Sequence, residues 1–314
     1  MAEGGTLTFT DPDGYAAAFR EARINLTITG AGDFTARLTQ LKLQHLEVYR
    51  CRENLPRIAY LSFPSERMML SFPVGSRPPI FGGLALRTGD IVFHSRGERV
   101  HQRSSGACEW GLMSLSVNQL ADCSEALTGQ PIALPRASSV LKPARAAALR
   151  FKRLFRQACR LAETGRKLIE RPEVARALEQ ELLHATVSCL SSRADDNRKR
   201  NHTRAAIVVR FEEAISDRID RKLRIPELCA EIGVPERTLR MCCAEILGVS
   251  PSRYLVLRRL NKARSALRHA DASKATVAEV ARNHRFLEFG RFAVTYRTIF
   301  GELPSATLQR DPDM

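Results

Sequence analysis

Apolar positions in the last third of the chain recur at helical spacing and fall into two similar blocks. In the first, Ile225, Leu228, Cys229 and Ile232 mark a short helix, Gly233 follows, and Pro235 opens a second helix. Glycine supplies the positive φ of a tight turn between helices. Proline is tolerated at a first helical position because its missing N–H had no partner there. The second block begins at Val277-Ala278-Glu279-Val280-Ala281, turns near Arg285-Phe286, and continues as a helix over about Glu288 to Phe300. The blocks superimpose: Leu239 matches Phe292, Gly248 matches Gly301, and Pro251-Ser252 matches Pro304-Ser305. Between them, Leu257, Leu260, Arg264 and Leu267 predict one amphipathic helix over Ser252 to Leu267. At about 1.5 Å per residue it spans roughly 25–28 Å.

Upstream the pattern changes. Residues 1–20 show little periodicity and read as a loose lead-in. From about Ile24 to Leu115, short alternating or apolar runs stand between turn signals, for example Arg57-Ile58-Ala59-Tyr60-Leu61, Ile91-Val92-Phe93 and Trp110 to Leu115. Many short strands at this spacing predict a sandwich or barrel. Two amphipathic helices follow. One has Ala147, Phe151, Leu154, Phe155, Ala158 and Ala162 as its stripe, the other Val174, Leu178, Leu182, Ala185 and Cys189. Such stripes are core or a dimer seam. Residues 191–201 are polar, charged and aperiodic, which marks a linker.

Composition narrows the class. The 314 residues carry a net charge of +15 and a pI near 10, which points to a polyanionic partner. Residues 203–314 hold 20 basic against 14 acidic side chains, and residues 142–176 hold 11 against 3. The larger surplus therefore lies outside the paired blocks, with Arg153, Arg156 and Arg160 on one face of one helix. Eight scattered cysteines without a Cys-x-x-Cys pair fit reduced thiols of a cytoplasmic protein. No window is apolar enough to span a membrane, and the first residues lack a basic start followed by an apolar run, so no signal peptide is expected.

A helix, a tight turn and a second helix is the shape of a helix-turn-helix, whose second helix enters the DNA major groove. Two in tandem, joined by one helix, can place two such helices about one DNA turn, roughly 34 Å, apart. The residues Gly248-Val249-Ser250-Pro251-x-x-Tyr254-Leu255, Arg259-Leu260-x-x-Ala263-Arg264 and Gly290-Arg291-Phe292-Ala293-x-x-Tyr296-Arg297-x-x-Phe300-Gly301-Glu302-x-Pro304-Ser305 resemble the C-terminal domain of AraC/XylS-type bacterial transcription regulators. Leu86-x-x-Gly89-Asp90, an apolar strand, then Gly97 and His101 are similar to part of a cupin-type jelly roll. The expected fold is thus α+β in two domains. A cupin-like β domain with a helical hairpin, used for sensing or dimerisation, covers 1–192. A linker covers 193–203, and an all-α domain with two helix-turn-helix units covers 204–314.

Helical geometry selects the reading side chains. On the first recognition helix Leu239, Cys242, Cys243 and Ile246 face the core, which leaves Arg237, Arg240, Met241 and Ala244 outward and Thr238 on the flank. Arginine matches guanine O6 and N7, methionine can touch a thymine methyl, and Thr238 suits a phosphate. On the second, Phe289, Phe292, Tyr296 and Ile299 are the expected core side. Gly290, Ala293, Val294 and Arg297 face outward, with Arg291 on the flank. Direct reading is therefore expected mainly from the first unit, and anchoring through Arg291 and Arg297 from the second. Arg285 departs from the family, which usually has glycine there. The turn must change geometry or hold a strained residue.

The function expected from the resemblance is a cytoplasmic, sequence-specific activator acting on double-stranded DNA and on RNA polymerase. It is expected to be a homodimer, with a small-molecule effector possible and no cofactor or catalytic residue. The alternative is a metal-dependent cupin sensor or enzyme, in which His94, Glu98 and His101 would supply a facial triad although the His-x-His pair is missing.

Overall fold

The computed structural model describes residues 3–130, 132, 137–190, 199–216, 218 and 223–310. The strands form two antiparallel sheets. One runs, in spatial order, β1 (Glu3–Phe9), β3 (Ala36–Lys42), β4 (Leu46–Glu53), β11 (Cys108–Ser116), β6 (Arg67–Pro73), β9 (Ile91–Phe93) and β12 (Ser139–Leu141). The other runs β2 (Arg23–Ile28), β5 (Arg57–Ser62), β10 (Arg99–Ser104), β7 (Ile80–Phe81) and β8 (Leu84–Ala85). Their inner faces meet through Leu38, Tyr49, Cys51, Ala59, Leu61, Trp110 and Leu112, as the two-residue period of strands requires.

The lead-in is ordered, which corrects the expectation of a loose segment. Residues 3–9 are an edge strand, and Pro12–Ala17 form a short helix, α1. Asp11 caps α1 by accepting from the Gly14 N–H at 2.7 Å, and proline starts it. Tyr15 is fully buried, and Phe19 stacks on Trp110 and Tyr49. Inside lies a buried ion pair. Glu53 accepts from Arg57 at 2.7 Å, Tyr15 at 2.9 Å and Trp110 at 3.1 Å. Burial alone would raise the Glu53 pKa, but the Arg57 charge and these donors outweigh it and hold the carboxyl below its ordinary range.

Helices cover both outer faces. Over the first sheet lie α2 (Val117–Thr128), α3 (Arg145–Thr164), α4 (Arg166–Ile169) and α5 (Pro172–Leu190). The α3 stripe, from Phe151 through Ala162, packs on Leu41, Val48, Phe72 and Met113. Both predicted stripes are therefore core within the chain. The faces of α3 left to solvent carry Leu149, Arg153, Arg156 and Arg160.

Over the second sheet lie the C-terminal helices α6 (Lys199–Ser216), α7 (Ile225–Ile232), α8 (Glu236–Ile246), α9 (Pro251–His269), α10 (Val277–Asn283), α11 (Phe289–Phe300) and α12 (Pro304–Leu308). Helix α6 starts at Lys199, so the end of the expected linker is its first turn. Residues 193–198 of that linker lie outside the described residues. Ile58 of β5 packs into the core of α6 to α9. The Asn261 side chain on α9 accepts from the Ile28 N–H at 2.8 Å and donates to the Ile28 carbonyl at 3.0 Å. Glu212 on α6 is buried among three partners: the Tyr254 hydroxyl donates to it at 2.6 Å, Arg258 sits at 2.9 Å and His101 at 3.4 Å. Burial would raise its pKa, and Arg258 chiefly holds it down.

The two helical turns share one geometry. Gly233 has φ 68°, and Val234 donates to the Cys229 carbonyl at 3.0 Å. Arg285 has φ 61°, and Phe286 donates to the Ala281 carbonyl at 2.8 Å. Of the two options left by the sequence, the turn keeps its shape and holds a left-handed arginine. That conformation costs a non-glycine residue about 1–2 kcal/mol. Arg285→Gly should therefore raise stability by about 0.5–1 kcal/mol after the entropy cost of glycine. Urea unfolding measures it, and a lower midpoint would contradict the strained-turn reading.

Candidate nucleic-acid interface

The first recognition helix is α8. Pro235 is its N-cap, one residue earlier than a first-turn position. Leu239, Cys242, Cys243 and Ile246 are buried. This core fixes the rotation of the helix, so Arg237, Arg240, Met241 and Ala244 project to solvent and Thr238 lies half-buried on the flank. Arg240 is held by Glu236 one turn earlier, which keeps its guanidinium along the outer face. An exposed arginine fork on this face is chemically suited to guanine O6 and N7.

The second recognition helix, α11, has a different surface. Phe292, Tyr296, Ile299 and Phe300 are buried. Phe289 is not part of that core: it is 39% exposed and lies under the Arg282 guanidinium at 5.6 Å. The core expected on its side is completed instead by Phe286, whose ring packs tilted against Phe292 with centroids 4.8 Å apart. Gly290, Arg291, Val294 and Arg297 are exposed, and Ala293 is half-exposed. Leu287, just before the helix, is 78% exposed and was not picked out from the sequence. The available signal was its place ahead of a recognition helix, where such motifs meet base edges.

Helix α9 joins the two units. Its 19 residues span about 28 Å. Ser250 caps it by accepting from the Arg253 N–H, and Leu257, Leu260, Ala263 and Leu267 are buried in its contact with the rest of the chain. The buried Arg264 reaches Glu302 at 2.8 Å and stacks on Phe300. This pins the linking helix to the second unit.

A helix-turn-helix domain model matches residues 228–310. The XylDLEGF operon transcriptional activator of Pseudomonas putida is 32% identical over 101 residues, 32% of this chain and 32% of that protein. A probable thc operon regulatory protein of Rhodococcus erythropolis is 37% identical over 90 residues, 29% of this chain and 27% of that one. The matched region spans about a third of the length of these curated relatives. The solved structure of a probable AraC family transcriptional regulator from Rhodopseudomonas palustris is 34% identical, covering 33% of this chain and 96% of that one, with a TM-score of 0.31. The C-terminal helices belong to the AraC/XylS-type helix-turn-helix family.

Outside this AraC-type region, the residues considered for a metal do not converge. The ring of His94 lies 2.6 Å from Glu98 through Nδ1 and 2.9 Å from Ser71 through Nε2. His101 points the other way, to Glu212 and Tyr60 between sandwich and helices. The strand period separates them, so a facial triad of His94, Glu98 and His101 is not formed. Among the described residues no three such side chains come together in a metal-binding group. Beside His94 an apolar cavity of about 50 Å³, walled by Phe81, Val92, Val100 and Val140, has room for a few waters.

The basic face of α3 lies across the sandwich from α8 and α11. Layers about 10 Å thick put two sheets between them, a distance on the order of 30 Å. Its field reaches roughly 8–10 Å at physiological salt. Contact of Arg153, Arg156 and Arg160 with DNA flanking the site is therefore not expected in this arrangement.

No helix among the described residues is long and apolar enough to cross a membrane.

Proposed function

We propose that this chain is a sequence-specific regulator of transcription that binds double-stranded DNA through two recognition helices in adjacent major grooves. The single observation that carries this reading is the pair of outward faces. Arg237, Arg240 and Met241 on α8, and Gly290, Arg291, Val294 and Arg297 on α11, remain exposed while the opposite face of each helix is packed. Thr238 and Ala293 flank them. The reading extends to an activator that contacts RNA polymerase, working in the cytoplasm rather than as an enzyme. The operon activators to which it is similar support this. It also includes homodimerisation through the N-terminal part. With both apolar stripes inside the chain, the second copy would meet a surface other than these stripes. The domain limits 1–192 and 204–314, with the link at 193–203, belong to the same proposal.

Selection from a pool of random duplexes by the full chain tests it. The expected product is a bipartite site with two elements one helical turn apart. A pool that stays random, or a single unbroken element, would refute the reading.

A further inference from the structure

The two most exposed large apolar side chains among the described residues are Leu287 at 78% and Val294 at 68%. Both belong to the second recognition unit. Leu287 immediately precedes the N-cap of α11, in the non-helical entry to it, and Val294 is exposed on α11 itself. Gly290, in the first turn of α11, is exposed as well, and a Cβ built on it would meet nothing within 4 Å. The entry and outer face of α11 thus present apolar side chains to solvent, with an open notch at Gly290.

Water-exposed leucine and valine at the N-terminal end of a recognition helix gain by being covered, because burial removes their apolar surface from water. The charges on the same unit identify what covers them. Arg291 and Arg297 on α11, and Arg282 and Arg285 shortly before it, are exposed as well. The carboxylate among them, Glu288, is 3.6 Å from Arg291 and is partly neutralised there. Exposed apolar side chains and arginines on one recognition unit match a surface with apolar points between two rows of phosphates. In the DNA major groove those points are the 5-methyl groups of thymine.

We propose that the second recognition helix reads thymine methyls through Leu287 and Val294, with Gly290 allowing the helix to sit deep in the groove. This rests on the DNA-binding reading above and names what its second unit recognises. The units then divide the reading by chemistry. The first takes guanine edges through arginine, and the second takes methyl groups without a hydrogen bond. Specificity of the second kind is soft, since each methyl contributes about one buried carbon. A run of thymines, rather than one invariant base, is the element it selects.

The test uses the full chain and the site enriched from random duplexes. Each thymine is replaced singly by uracil, which removes only the methyl. The expected result is a three- to fourfold loss of affinity at two or more thymines, all in one element. A Leu287→Ala/Val294→Ala variant should bind the all-thymine site more weakly, and uracil replacement should then cost it nothing further. Both positions are exposed, so the variant should unfold at the wild-type midpoint. Uracil tolerated throughout by the wild type, or the same uracil penalty in wild type and variant, would overturn the proposal while leaving DNA binding itself intact. Failure to enrich any site would remove the DNA-binding reading and this inference with it.

Discussion

Replacing Arg240 with alanine should weaken binding to the enriched site by about 1–3 kcal/mol, roughly 5- to 150-fold, and Arg237→Ala should do the same. Both guanidinium groups stand outward on a helix whose opposite face is locked by Leu239, Cys242, Cys243 and Ile246. The loss should concentrate at guanines, because the fork of an arginine fits O6 and N7 and no other base edge as well. Base preference at those positions should relax in each variant. Arg297→Ala is the contrast. At the phosphate rim of α11 it should weaken every sequence alike and flatten the plot of log affinity against log salt by about one unit. Anisotropy titrations over a panel of single-base variants separate the two behaviours. An unchanged preference profile in both Arg240→Ala and Arg237→Ala would remove α8 from the reading interface. A loss confined to one base in Arg297→Ala would make that residue a reader instead.

Arg57→Met should lower stability by about 3–5 kcal/mol, the largest effect expected away from the interface. The substitution leaves Glu53 buried with Tyr15 and Trp110 but without its counter-charge. In the wild type the folded pKa of Glu53 lies below the unfolded value, near 4.3. Its contribution is present above that pH and is lost as pH falls through the folded pKa. Without Arg57, burial dominates and the folded pKa rises above the unfolded one. The sign then reverses: stability is fully present below about pH 4.3 and is lost as pH rises through the new value. Urea midpoints for wild type and variant between pH 5 and 8 should therefore diverge as pH increases. A constant difference across that range would contradict the account. The double change Glu53→Gln/Arg57→Met should be milder than Arg57→Met alone, since no buried charge is left unpaired.

The site was more legible in the sequence than the architecture around it. The apolar set on α8 is buried on one face, and the outward arginines followed from it by rotation alone. Phe289 was misplaced because an aromatic at helical spacing reads as core. Here it lies at the helix start, beyond the reach of the packed layer, and is covered by Arg282. Residues 3–17 were missed because two adjacent glycines and an exposed Leu7 blur the alternation of β1, and α1 is only six residues long. Their anchor is Tyr15, whose partner Glu53 is 38 residues away. Arg57 is in phase with Ala59 and Leu61, so its inward direction could have been inferred from the strand period. The docking of the C-terminal helices on the second sheet could not. That outer face carries Thr27, Tyr60, His101 and Arg103, which resemble a solvated surface and are instead covered by helices.

The central claim is that α9 holds two recognition helices to successive major grooves on one face of a duplex. Hydroxyl-radical footprinting of the enriched site with the full chain, which reports every backbone position whatever its base, tests it most directly. Two protected patches should appear, centred about 10 base pairs apart on the same face. Arg240→Ala should open one patch and leave the other. A single patch, or two patches offset by half a turn onto opposite faces, would contradict it.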